Sequence, residues 1–112
     1  MEKRFKTLKE FYPYYLTEHQ DFTCRTLHFI GTGLVIVVFI TMIFANSWSN
    51  WWMLPLLGYG FAWPGHFFFE KNKPATFQYP LFSLTSDFIM FWHILTFQIS
   101  KKIKESLQSQ ST

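Results

Sequence analysis

The chain has 112 residues, of which 49% are hydrophobic and 22% aromatic, with fifteen Phe and only 15% charged. That length allows one domain and excludes a second core, and the single cysteine, Cys24, excludes an internal disulfide and a four-thiolate metal site. The net charge of +3 comes from the two ends and from Lys71 and Lys73, and it suits an anionic lipid surface. Nucleic acid is not an expected partner, because there is no arginine cluster, zinc-finger spacing or RNA-binding signature.

The first residues, Met1-Glu2-Lys3-Arg4-Phe5-Lys6, carry charge without an apolar stretch behind it, unlike a cleavable signal peptide. Residues 5–18 then alternate bulky apolar and charged positions at near-helical spacing, with Phe5, Leu8, Tyr12 and Tyr15 on one face. This predicts an amphipathic interfacial segment over 5–19, its tyrosines at headgroup level and Pro13 as a kink or interruption.

Asp21 or Thr23 can N-cap the next helix. The cap matters, because His19 and His28 lie nine residues apart, half a turn out of phase on one continuous helix. They converge only if the chain turns between them.

From Thr26 to Phe69 there is no Asp, Glu, Lys or Arg, a run of 44 residues. A hydrocarbon core of about 30 Å needs about 20 apolar residues per helix. The run therefore predicts two spans, about 27–45 and about 52–69, joined by the Trp-rich turn at 46–52. Gly31 and Gly33 leave room for a second helix to approach the first.

Five Lys or Arg residues flank the first span, two lie in the 70–79 loop, and the 46–52 turn has none. By the positive-inside bias, the N-terminus and the 70–79 loop are cytoplasmic. This hairpin sets His19, His28 and His66 at one membrane face, with Glu70 four residues after His66. On an α-helix that spacing places the imidazole and the carboxylate one turn apart on one face.

A further helix is expected from about 81 to about 105. Lys101, Lys102 and Lys104 beyond it, with Asp87 and His93 within it, favour an interfacial position over a third crossing. The fold class is all-α: a small integral membrane protein built as a two-span hairpin, an amphipathic N-terminal segment and an interfacial or third C-terminal helix. Self-association into a homo-oligomer stays open.

Three neutral imidazoles and a carboxylate are a ligand set for non-haem Fe(II), with Zn(II) as the main competitor. Haem held by two histidines is a further alternative, and a non-catalytic lipid- or partner-binding scaffold is another. Four histidines in total are too few for the histidine boxes of membrane di-iron hydroxylases. Arg25 can bind a carboxylate in bidentate fashion or anchor a lipid phosphate. Cys24 shares a face with His28 and reads as a small buried residue; His93 reads as structural.

Two segments carry a resemblance. One is Tyr15-Leu16-Thr17-Glu18-His19 followed by Cys24-Arg25-Thr26-Leu27-His28-Phe29-Ile30-Gly31-Thr32; the other is Gly65-His66-Phe67-Phe68-Phe69-Glu70-Lys71-Asn72-Lys73-Pro74-Ala75-Thr76-Phe77. Together they resemble a membrane family called 2-hydroxy-palmitic acid dioxygenase-like, in its short, bacterial-type branch, and the likeness runs over nearly the whole chain.

The resemblance implies an Fe(II)-dependent dioxygenase of fatty-acid α-oxidation in the bacterial inner membrane. Characterised members of that family convert a 2-hydroxy fatty acid and O2 to a fatty acid one carbon shorter. It implies metal binding by His19, His28, His66 and Glu70, with Glu70 either coordinating or orienting His66. Arg25 or Lys73 would offset the substrate carboxylate, and Arg25 and Glu70 are the candidate catalytic residues. This chain is shorter than the eukaryotic members and lacks their further spans.

Overall fold

A computed structural model describes residues 5–73 and 77–110. Lys3 and Arg4 of the basic flank and residues 74–76 of the expected cytoplasmic loop lie outside the described residues. The described residues are helical throughout, with no strand among them.

The first helix, α1 (Leu8–Thr17), starts on a cap: the Thr7 side chain accepts from the Glu10 N–H. It runs through Pro13 without a break, contrary to the expected interruption. Only one helical hydrogen bond is lost at a proline, and here the aromatic face of α1 is held from outside. Phe11, Tyr15 and Leu16 are buried with Tyr79 and Met90 in one core cluster. Phe82, Ile94, Ile99 and Ile103 pack around it. The tyrosine face expected at headgroup level is thus covered by protein.

The second helix, α2 (Phe22–Ala45), is capped by Asp21, whose side chain accepts from the Cys24 N–H at 2.9 Å. Its 24 residues extend about 36 Å. It is the one described helix long and apolar enough to cross a membrane, and only 22% of its most apolar stretch is buried within the protein. It ends at Asn46 in the left-handed region, φ 51°, a conformation that asparagine tolerates. A short 3₁₀ turn at Trp48–Asn50 leads to α3 (Met53–Pro64).

The stretch expected as a uniform second span changes character at its end. The α3 helix passes directly into a π-helical turn, Gly65–Glu70. By length and composition, then, one described helix could cross a membrane, and the second expected span is a 12-residue α-helix plus this turn.

Three close approaches show that α2 and α3 run antiparallel. A Cβ added at Gly31 would lie 2.9 Å from the Phe61 Cβ and 3.2 Å from the Leu57 carbonyl oxygen. A Cβ at Gly58 would meet Val35, and one at Gly65 would meet Cys24. On the other side of α2, Gly33 faces Phe91, and Phe29 stacks on Phe91 at 4.7 Å.

The single C-terminal helix expected over 81–105 is two helices, α4 (Pro80–Leu95) and α5 (Ile99–Gln110). Phe97 takes φ 62°, and the Gln98 N–H bonds the His93 carbonyl at 2.8 Å, a helix-ending turn built without glycine. The break lets α5 fold back on α1 and close the core.

Candidate metal centre

Asp21 turns the chain between α1 and α2, so His19 and His28 come together in spite of their opposed helical phase. Their Nε2 atoms lie 3.1 Å apart. His66 arrives from the π turn because Gly65 packs directly on Cys24, one helical turn before His28. The three rings form a compact set: His19–His28 and His19–His66 centroids are 4.4 Å apart, and His28–His66 4.9 Å. Their planes are mutually near-perpendicular, at 80° to 90°. All three are buried.

The hydrogen bonds at the other ring nitrogens fix the tautomers. His19 Nδ1 lies 2.6 Å from the Tyr15 carbonyl oxygen, and His28 Nδ1 3.0 Å from the Cys24 carbonyl oxygen. A carbonyl only accepts, so each Nδ1 carries the proton. His66 Nδ1 lies 2.6 Å from Asn72 Oδ1, and Asn72 Nδ2 donates to the Glu18 carbonyl, which sets the amide orientation. His66 Nδ1 is therefore also the donor.

All three Nε2 atoms are left with lone pairs. Three neutral imidazoles offering lone pairs to one buried point repel one another until a cation sits among them. This donor set fits a divalent metal. The Nδ1–H bonds to carbonyl and amide oxygens are the outer contacts that hold metal-binding imidazoles in orientation. His19 stays neutral, because burial and the adjoining His28 and His66 rings hold its pKa well below the usual histidine value.

Cys24, His19, His28 and His66 form a group whose candidate ligand atoms all lie within 4.8 Å of one another. The Cys24 sulfur is 3.8 Å from His28 Nδ1, the side of that ring away from the His19 contact.

Glu70, expected as a ligand or as the partner of His66, is not in this group. Its carboxylate accepts from the Asp21 N–H, and the partner of His66 is Asn72. Glu70 closes the π turn against the start of α2, and the chain reverses at Lys71, φ 58°, to bring Asn72 onto His66 instead. Burial raises the Glu70 pKa, opposed by the Asp21 N–H bond.

Arg25 Nη1 donates to the carbonyls of His19 and Gln20, at 2.9 and 2.6 Å, and so clamps the turn that carries His19. Lys73 is exposed. His93 bonds the Tyr12 hydroxyl at 2.7 Å, away from the three-histidine set.

Two residues that the sequence did not single out support the site. Asn72 is one. The other is Tyr15, whose ring stacks on His19 at 4.0 Å and whose hydroxyl donates to Asp87. A signal for Asn72 lay in its position just past the aromatic run that ends at Phe69; helical periodicity had no place for it.

No curated protein and no solved structure matches the chain. The sequence profile described as 2-hydroxy-palmitic acid dioxygenase Mpo1-like matches residues 5–99, a stretch that includes all three clustered histidines, Asn72, Tyr15 and Asp87. The chain belongs to the 2-hydroxy-palmitic acid dioxygenase Mpo1-like family.

Proposed function

We propose that this chain is an Fe(II)-dependent dioxygenase that shortens 2-hydroxy fatty acids by one carbon at a membrane surface. The carrying observation is the packing of three buried imidazoles, His19, His28 and His66, with centroids 4.4 to 4.9 Å apart and each ring bonded to an acceptor at Nδ1, which leaves its Nε2 lone pair free. Iron held there would supply the activation of O2, which no side chain can provide.

The protein's own part is to orient and to exclude water. The Tyr15 and Cys24 carbonyls and Asn72 fix the three rings. Arg25 holds the His19 turn and keeps a positive charge beside it for the substrate carboxylate; Lys73 is the second cation for that role. Glu70 fastens the π turn to the start of α2 and so sets where His66 stands. In the bilayer, α2 would cross and α3 with the π turn would return. That topology puts the N-terminus and the 70–79 loop on the cytoplasmic side, in a bacterial inner membrane.

Cys24 favours a second reading, a closed zinc site of three histidines and one thiolate. Its position on the Nδ1 side of His28 favours the open, three-nitrogen set.

The deciding experiment is metal analysis of anaerobically purified protein, coupled to O2 uptake on adding 2-hydroxypalmitate. Near-stoichiometric iron and substrate-dependent O2 uptake are expected, both lost in His66→Ala. Retention of iron and turnover by that variant would overturn the assignment. Firmly held zinc with no O2 uptake would support the closed site instead.

A further inference from the structure

A cavity of about 430 Å³ lies between α2, α3 and α4. Its walls are almost wholly apolar, with Val35 and Phe39 from α2, Leu54 and Gly58 from α3, and Leu84 and Phe88 from α4. Three residues with polar groups, Thr32, Tyr59 and Asp87, interrupt that lining, and two of them, Thr32 and Asp87, lead to the histidine cluster by different routes.

Thr32 follows His28 by four residues and so stands one turn beyond it on the same face of α2. Asp87 accepts from the Tyr15 hydroxyl, and the Tyr15 ring lies flat on His19. The cavity therefore has an end defined by Thr32 and Asp87, abutting the metal-facing histidines, and an apolar body that leads away along α2. Its size falls within the usual range for small-molecule sites, and an apolar wall with a few convergent polar groups is their usual character.

We propose that this cavity receives the acyl chain of the substrate, with Thr32 and Asp87 marking the end nearest the metal centre and the residues around Gly58 limiting chain length. The proposal rests on the dioxygenase reading for its substrate class. An unbranched acyl chain suits the space because, apart from Thr32, Tyr59 and Asp87, every lining side chain is apolar. Gly58 lines the cavity, and a Cβ there would stand 3.5 Å from Val35 Cγ2, an ordinary contact. A side chain at 58 thus enters the cavity without straining the helix pair.

The test uses the whole protein in lipid nanodiscs and a 2-hydroxypalmitate analogue bearing a diazirine at its tail end. After photolysis, the labelled residues are mapped by mass spectrometry. The label is expected on the segments around residues 35–39, 54–58 and 84–88. Excess 2-hydroxypalmitate and the Gly58→Leu substitution should each reduce it about fivefold or more, with metal content unchanged.

In turnover, Gly58→Leu should shift preference toward shorter 2-hydroxy acids, and the milder Gly58→Ala should shift it in the same direction by less. Labelling spread over outward residues such as Ile43 and Phe44 would overturn the proposal. So would cavity label that excess 2-hydroxypalmitate fails to displace, because the occupant would then be a bilayer lipid. Displaceable cavity labelling in a protein that takes up no O2 would support the binding site while the dioxygenase reading falls.

Discussion

His19 and His28 face each other Nε2 to Nε2 at 3.1 Å, with the proton of each ring committed to a carbonyl on its far side. That arrangement is unfavourable for two neutral imidazoles alone and favourable around a cation. Metal should therefore raise the stability of the protein, since it binds the folded state and relieves this opposition. Adding Fe(II) or Zn(II) to chelator-treated protein should raise the thermal midpoint by several degrees, and much less in His28→Ala. An equal rise in both would place the metal elsewhere.

Asn72 holds the His66 ring at Nδ1 and would act on a bound metal through it. Asn72→Ala should weaken metal binding by about 10- to 100-fold, the usual cost of losing an outer contact to a ligating histidine, while the helices persist. Competition against a chromophoric chelator measures this. Unchanged affinity would mean that the π turn alone holds the ring.

Glu70 separates two roles cleanly. As a latch on the Asp21 N–H it can be replaced by glutamine, whose carbonyl oxygen also accepts. Glu70→Gln should keep its iron, and Glu70→Ala should bind metal more weakly because the π turn is no longer fastened. Loss of iron in Glu70→Gln would restore the carboxylate to the ligand set.

Acid should loosen the metal-free protein. The pKa of His19 is held below its unfolded value by burial and by His28 and His66. The unfolded chain therefore takes up a proton near about pH 6.5 that the folded chain refuses. The contribution of His19 to stability is complete above that pH and falls as the pH drops toward the folded pKa. Thermal midpoints measured from about pH 8 down to about pH 5 should decline through this window; a flat profile would contradict a buried neutral His19.

Gly65 and Gly60 form a matched pair. A Cβ at Gly65 would stand 3.0 Å from the Cys24 sulfur and 3.2 Å from the Cys24 Cα, and backbone cannot yield as a flexible side-chain tip does. Gly65→Ala should destabilise by about 1–3 kcal/mol and displace His66, lowering metal content. At Gly60 a Cβ meets nothing within 4 Å, so Gly60→Ala should leave stability and metal content unchanged. Equal behaviour of the two variants would refute the close helix contact.

The all-helical class, the long apolar α2 and the turn between His19 and His28 were legible because each follows from a local rule. A charge-free run marks an apolar helix, and Asp21 in a capping position marks its start. The partnership of His66 was not legible, because Asn72 lies past the helix end, where Lys71 reverses the chain at φ 58°, and helical spacing says nothing of contacts made there. The break before α5 was hidden for a related reason. Phe97 adopts φ 62° where glycine or asparagine would ordinarily advertise the stop, and only the closing of α5 on the α1 core explains it. The burial of Tyr15 escaped notice because an amphipathic face looks the same whether lipid or a partner helix covers it.

The π turn is one residue longer than the α turn it replaces, and the Asn72 N–H closes onto the His66 carbonyl at 2.9 Å. The relation between the imidazole and its holder is thus stored in a count of residues. Removing any one of Phe67, Phe68 or Phe69 would leave this turn one residue short of the span that joins His66 to Asn72 and Glu70 to Asp21, so both contacts should be lost together. Three consecutive phenylalanines can each change in character with little effect on the centre, yet their number cannot change at all.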